Sequence, residues 1–356
     1  MNRRGTAALL AVVIAVGCGH QGAQSPSAAT TTGLLPAGVP TEGSRPPAAT
    51  LPPAAEPQRA PQPAGPPPGR LVPVAGGPEG VAVDPVTRIV AVASHDPDRL
   101  VLLNADSLQV AGRTPLPGSA RHVESAGPGG PILVPVESAN ALVEVRLPGG
   151  AASPPILTGT SPHDAAAASN GTVFVGNELG GTVAAVRDGK VVKLFTDSVQ
   201  PAGLAAAGTA VGMLDARRNT LTVYDAQRLA IIGSAPAGAG PTHLVADRRG
   251  RMIAADTRGD AIRVFDPLPT PREIAAVRQP GGPYGIAYDG MRDRLWVASS
   301  GTNEVVGYDV SGAVPLEIRR IPTVQDPYSV GVDSQTGHLF IAGVTAGVLQ
   351  VVEPGL

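Results

Sequence analysis

The chain has 356 residues, and its 27 Lys and Arg nearly balance its 29 Asp and Glu, for a formal charge of −2. No Lys/Arg tract offers a phosphate-binding footprint, which argues against a general nucleic-acid binder. Aromatic residues are only 3%, leaving few stacking platforms for sugars or bases, and a single cysteine excludes an internal disulfide framework.

The chain opens with Asn2-Arg3-Arg4 and an apolar run from Ala7 to Val16. A basic start followed by a core too short to span a bilayer reads as an export signal. The run ends in Ala15-Val16-Gly17-Cys18, which resembles the lipobox of bacterial lipoproteins. The resemblance implies lipidation of Cys18, and with it an exported, membrane-anchored lipoprotein on the extracytoplasmic side, in the periplasm or at the cell surface. Residues 1–18 are therefore expected to be signal peptide and lipobox. Residues 19–69 are dominated by Pro, Ala, Gly, Ser, Thr and Gln. So few large apolar side chains do not offset the entropy of ordering, and the segment is expected to be a disordered linker.

From residue 70 onward a unit of about forty-two residues recurs seven times, anchored at Pro78, Ala120, Pro162, Pro201, Pro241, Pro283 and Pro327. Several short strands per unit at this period predict a β-propeller, one four-stranded antiparallel blade per unit. The sixth unit shows the scheme most clearly. Gly285–Asp289 is the inner strand, Arg294–Ala298 the second, Glu304–Asp309 the third and Leu316–Ile321 the outermost. Asn170-Gly171, Asp188-Gly189 and Asp289-Gly290 supply the turn chemistry of hairpins. Inner strands such as Asp164–Ala168 carry small side chains, as blades converging on an axis require. The seventh unit stops one strand short, and Leu71–Val74 precedes the first anchor where an outer strand would lie. The fold class is thus all-β, a seven-bladed propeller over 70–356, with residues 71–74 expected to complete the C-terminal blade and remove its open edges.

Function on a propeller gathers where loops surround the axial opening. The repeat alignment places there Glu79, Arg121, His122, His163, Asp164, His243, Tyr284 and Tyr328 after the anchors, and Glu137, Asn177, Glu178, Asp215 and Asp256 at the loops joining second and third strands. Three of the six histidines share nearly one repeat position, making His122, His163 and His243 candidate metal ligands. Antiparallel pairing within each blade predicts His122 beside Glu137, His163 beside Asn177 and Glu178, and His243 beside Asp256. Imidazole with carboxylate suits a divalent-metal shell, a general base or an oriented hydrogen-bond network. Arg88, Lys190, Arg248, Arg249, Arg251, Arg292 and Arg294 fall on turns at the opposite end, a basic face able to attract anionic headgroups.

Leu295-Trp-Val-Ala-Ser-Ser-Gly-Thr-Asn-Glu-Val-Val-Gly-Tyr-Asp309 and Ile89-Val-Ala-Val-Ala-Ser-His-Asp-Pro-Asp-Arg-Leu-Val-Leu-Leu-Asn104 resemble the YVTN family of bacterial β-propeller repeats. That resemblance implies an extracytoplasmic propeller and no particular enzymatic activity. The Pro-x-Gly-Ile-Ala unit at Pro283, with His243 and Asp256 or His122 and Glu137 near the axis, is similar to the virginiamycin B lyase family. Glu79, Asn177, Asp215 and Asp256 are similar to the ion-binding set of gluconolactonase-like propellers. The leading expectation is a non-catalytic binding or scaffold module that recognises a small ligand or partner protein at the axial mouth. The alternative is a metal-assisted propeller enzyme, of lyase or lactonase type, using the His/carboxylate ring at the same mouth.

Overall fold

A computed structural model describes residues 50–74, 76–353 and 355. Cys18, the signal segment and linker residues 19–49 lie outside the described residues. Among the described residues no helix is long and apolar enough to cross a membrane.

Seven antiparallel sheets form the propeller, and in six of them four strands run in simple order from the axis outward. The fourth blade is representative, with Pro201–Ala207, Ala210–Asp215, Thr220–Asp225 and Ala230–Pro236. Its second and third strands alternate Val, Leu, Met and Tyr and are almost wholly buried, whereas the outer strand is largely exposed. Neighbouring blades share their cores: Phe174, Phe195 and Tyr224 of blades three and four pack with Leu204 and Met213. Arg70–Pro73 pairs antiparallel with Val348–Val352, so the last blade is completed to four strands by the first and the edge of Val348–Val352 is covered.

Each proline anchor opens an inner strand and is followed at once by an irregularity in the register, between Pro78 and Val81, Pro162 and Asp164, Pro201 and Leu204, Pro241 and His243, Pro283 and Ile286, and Pro327 and Ser329. Proline lacks the N–H that an ordinary ladder needs, so it sits at a strand's first residue and tolerates a bulge. A bulge re-aims the side chains that follow it. Blade two, whose anchor is Ala120, differs. Its inner strand shrinks to Glu124–Ser125, and its outer part splits into Ala151–Ala152 and Ile156–Leu157.

The predicted turn at Asp188-Gly189 has both residues at positive φ, 48° and 70°, as a tight hairpin needs. Asp289-Gly290 is different. The strands end at Asp289 and resume at Arg294, and the Asp289 carboxylate accepts the N–H of Met291 at 3.0 Å. The expected basic face is also corrected. Arg88 pairs with Asp106 and Asp333, Arg248 and Arg249 with Asp293, Arg251 with Asp247, Arg292 with Asp289 and Arg294 with Asp309. Those guanidinium charges are neutralised locally, because the hairpin turns that carry them also carry aspartates.

Thr50–Gly69, the end of the expected linker, belongs to the same compact unit as the propeller. It lies in extended form against the propeller face, with Ala55 and Ala60 buried.

Candidate functional site

Two residues past each anchor the inner strand meets its neighbour, and the identity of that residue decides what lies there. In blades one, four and six it is Gly80, Gly203 and Gly285; in blades two and five His122 and His243; in blades three and seven Asp164 and Ser329. The glycines let the next blade approach. A Cβ at Gly203 would stand 2.6 Å from the Thr242 carbonyl oxygen and 2.7 Å from His243 Cα. The polar residues stitch instead: Asp164 accepts the N–H of Leu204 at 2.7 Å, and Ser329 Oγ accepts that of Val81 at 3.1 Å.

The three histidines meet at the axis. The His122 ring centroid is 4.4 Å from that of His163 and 4.5 Å from that of His243, and His243 Nε2 is 3.2 Å from His122 Nδ1. Tyr284 stands edge-on to His243 at 4.3 Å. Burial, reinforced by the charges of His163 and Arg121, lowers His243 to a pKa of about 3. Burial and the adjacent His163 and His243 hold His122 well below the ordinary imidazole value. Both rings are therefore neutral at physiological pH. Among the described residues His243 Nδ1 is buried without a hydrogen-bond partner, a polar atom ready for a ligand.

Of the carboxylates expected beside the histidine of their own blade, Glu178 does meet His163, whereas Glu137 and Asp256 do not meet His122 and His243. Glu137 stands in a short 3₁₀ turn, Glu137–Ala139, and reaches the next blade, where its Oε1 lies 2.9 Å from His163 Nδ1. The same oxygen accepts Arg121 Nε at 2.7 Å. Glu178 follows the strand Val173–Asn177, and its Oε2 accepts Arg121 Nη2 at 2.9 Å and lies 3.5 Å from His163 Nδ1. Burial opposes ionisation of Glu137, yet the hydrogen bond from His163 and the charge of Arg121 hold its carboxyl below the usual range. One ligand atom each from Glu137, His163 and Glu178 lies within 4.8 Å of the others, a spacing that fits one divalent ion. Two carboxylate oxygens and an imidazole nitrogen suit a first-row transition ion of intermediate hardness.

Of the three histidines proposed as ligands, only His163 falls in that cluster; His122 and His243 stand behind it. Asp215 and Asp256 belong to the scaffold. Asp215 accepts the N–H groups of Val199, Arg217 and Arg218, and Asp256 those of Ala239 and Gly240, together with Arg263. Asn177 turns away to Thr158 and Thr182. Glu79 is engaged by His95 at 3.1 Å, and Tyr328 packs on Tyr284 with centroids 5.9 Å apart.

One residue was missed. Glu124 lines the axial channel, a cavity of about 300 Å³. Its side chain keeps contact with solvent in the channel, yet enclosure by the channel walls and the charge of Asp164 push its carboxyl above the ordinary range, and burial pushes Asp164 up to about 6. The signal was in the repeat: four residues past the anchor every other blade has Ala, Val or Gly, namely Ala82, Ala166, Ala205, Val245, Ala287 and Gly331.

No family model matches the chain, and no curated protein matches it. Among solved structures, Kuenenia stuttgartiensis hydrazine synthase aligns at a TM-score of 0.68 with 13% identity, covering 79% of this chain and 96% of that one. A chain of the mitotic checkpoint complex aligns at 0.68 with 11% identity, covering 90% and 98%. Virginiamycin B lyase from Staphylococcus aureus aligns at 0.65 with 14% identity, covering 80% and 98%. At these identities the likeness establishes the fold: the chain is a seven-bladed β-propeller.

Proposed function

We propose that the axial mouth is a divalent-metal centre held by Glu137, His163 and Glu178, and that the protein is a metal-assisted propeller enzyme of the lyase or lactonase type acting on a small substrate. The observation that carries this reading is the convergence of the three ligand atoms within 4.8 Å. A bound ion would supply Lewis-acid polarisation of a substrate oxygen. The remaining parts come from the chain itself. His122 and His243, kept neutral by burial, offer a substrate hydrogen bonds and not a charge, and among the described residues His243 Nδ1 has no partner of its own. Arg121, shared by both glutamates, orients them. Tyr284, its phenol kept protonated by burial, forms an apolar wall beside His243.

Elemental analysis of untagged protein purified without chelator is expected to find about one equivalent of a divalent transition metal. In a Glu178→Gln/His163→Ala variant the metal affinity should fall at least 100-fold, beyond the roughly 10- to 100-fold typical of disturbing a residue behind the ligands. A folded, metal-free wild type that also fails to take up added Zn²⁺ or Mn²⁺ would return the mouth to a metal-independent binding module.

The reading further places the propeller outside the cytoplasm as a YVTN-type lipoprotein anchored through Cys18. Support is the export segment and the lone cysteine at its end. Cys18→Ala should move the protein from the membrane fraction to unprocessed or soluble fractions in a bacterial host; an unchanged membrane fraction with no lipid on Cys18 would sink the anchor.

A further inference from the structure

The segment that precedes the first strand runs over the mouth, and five of its backbone carbonyls accept hydrogen bonds from the rim, beside a side-chain hydrogen bond between Arg59 and Tyr328. Arg217 donates to the carbonyls of Leu51 and Pro52 at 3.3 and 3.1 Å, and Arg258 to that of Pro53 at 2.8 Å. Gln325 donates to the Ala60 carbonyl at 3.1 Å and Asn303 to that of Pro61 at 2.8 Å. These four donors stand on the rim loops of blades four to seven, so the segment is read along its length by its backbone oxygens. Such recognition suits a chain whose prolines, at 52, 53, 57 and 61, remove N–H groups and hold it extended. A pre-extended chain loses little entropy on docking.

The floor of this path is cut to fit. A Cβ on Gly240 would stand 2.7 Å from the Ala55 Cβ, and one on Gly301 would stand 2.5 Å from Gln58 Oε1. Ala55 is 9% exposed and Ala60 7%, so two small side chains drop into the face. Where Ala54–Glu56 pass over Arg121, His163, Glu178 and His243, the enclosed space is about 10 Å³. That is at the lower limit for one water and leaves no room for a substrate.

We infer that the rim of blades four to seven is a docking groove for an extended proline-rich chain, and that residues 51–61 fill it as an intramolecular plug over the Glu/His cluster. The plug must leave before anything larger than water reaches His163 from this face. Its consequence for catalysis rests on the metal-centre reading; the docking and the closure do not.

Two full-length variants separate the parts. Ala55→Trp changes only the segment and cannot be seated against Gly240, while Arg217→Ala/Arg258→Ala removes rim donors and leaves the segment intact. Tryptic cleavage at Arg59-Ala60 reports docking. Carbethoxylation of His163 by diethyl pyrocarbonate, located by mass spectrometry, reports closure and needs no metal. Both rates should rise at least tenfold in both variants. A synthetic peptide of residues 50–62 should restore slow His163 modification in Ala55→Trp and not in the rim variant. Equal cleavage rates in all three proteins would overturn the docking. Faster cleavage with unchanged His163 modification would overturn the plug, and protection that grows with protein concentration would assign the groove to a second copy's segment and overturn the intramolecular arrangement. Should the wild type prove metal-free, the metal reading fails while these rates still decide the plug.

Discussion

Gly203→Ala is expected to lower the stability of the protein by about 3 kcal/mol, the upper part of the usual range for forcing a methyl group into a packed interior. Its Cβ would lie 2.6 Å from the Thr242 carbonyl oxygen, 2.7 Å from His243 Cα and 2.8 Å from Leu244 N. All three are backbone atoms of the next inner strand, so no side-chain rotation relieves the clash; the blades must separate. Gly80 stands in the same relation to Arg121 and His122, and Gly285 to Tyr328 and Ser329. The substitution therefore reaches the site, because it pushes away the strand that presents His243. Gly149→Ala is the control, with nothing within 4 Å of the added carbon; it should change stability by no more than about 0.5 kcal/mol. Urea midpoints of the two variants decide the matter. If Gly203→Ala moved the midpoint no further than Gly149→Ala, the inner strands would not be in the close contact that holds the histidines together.

The second large effect is a pH dependence carried by His243. Its folded-state pKa is about 3, against about 6.5 for an unfolded imidazole, because burial and the charges of His163 and Arg121 exclude the proton. Above pH 6.5 neither state is protonated, and the contribution of the buried ring is fully present. As pH falls from 6.5 toward 3 the unfolded chain binds a proton that the folded chain refuses, so stability declines by about 1.4 kcal/mol per pH unit. The total is on the order of 5 kcal/mol at pH 3. His122 acts in the same direction. Asp164 and Glu124 act in the opposite one: their raised folded-state values favour the folded protein at low pH, and that contribution is lost as pH rises through about 6 for Asp164. The wild-type curve alone is thus a sum of opposing slopes. Its difference from His243→Asn isolates the ring. In chelator, urea unfolding at pH 7, 6, 5 and 4 should show the wild type losing about 1.4 kcal/mol more per unit than the variant below pH 6.5. Parallel curves would mean that the imidazole titrates freely and that the trio is open to solvent.

Much of this was legible in the residues. The forty-two-residue spacing of the anchors, the small side chains of the inner strands and the missing last strand define a closed seven-bladed ring, and Arg70–Pro73 does pair with the final blade. These features are local or periodic, and a repeat that cannot bury its faces alone has one way to stack. The nearly shared repeat position of His122, His163 and His243 likewise put them at one end of the axis, and the structure shows that their rings meet there. Even Glu124 could have been found, as the one charged residue at a position otherwise held by Ala, Val or Gly.

Of the partners of these residues, Glu178 beside His163 was legible and the others were not. Pairing within a blade pointed Glu137 at His122 and Asp256 at His243. The bulge after each proline instead rotates the following side chains, and the short distance between blades at the axis lets Glu137 bond His163 across the blade boundary. Asp215 and Asp256 look like mouth residues by position, yet unpaired loop N–H groups lie closer to them than any imidazole. The proline-rich segment presents the widest gap, because composition reports how little a chain buries by itself and says nothing of donors elsewhere. Arg217, Arg258, Asn303 and Gln325 lie between 165 and 265 positions from the carbonyls they bind. By itself the sequence determined the number of blades, their strand order, the closure of the ring and the gathering of three histidines at one end, since each follows from a repeated local pattern. Only the tertiary structure brought Glu137 to His163 and decided what covers the site, because these depend on a contact between side chains of different blades and on a segment outside the repeat.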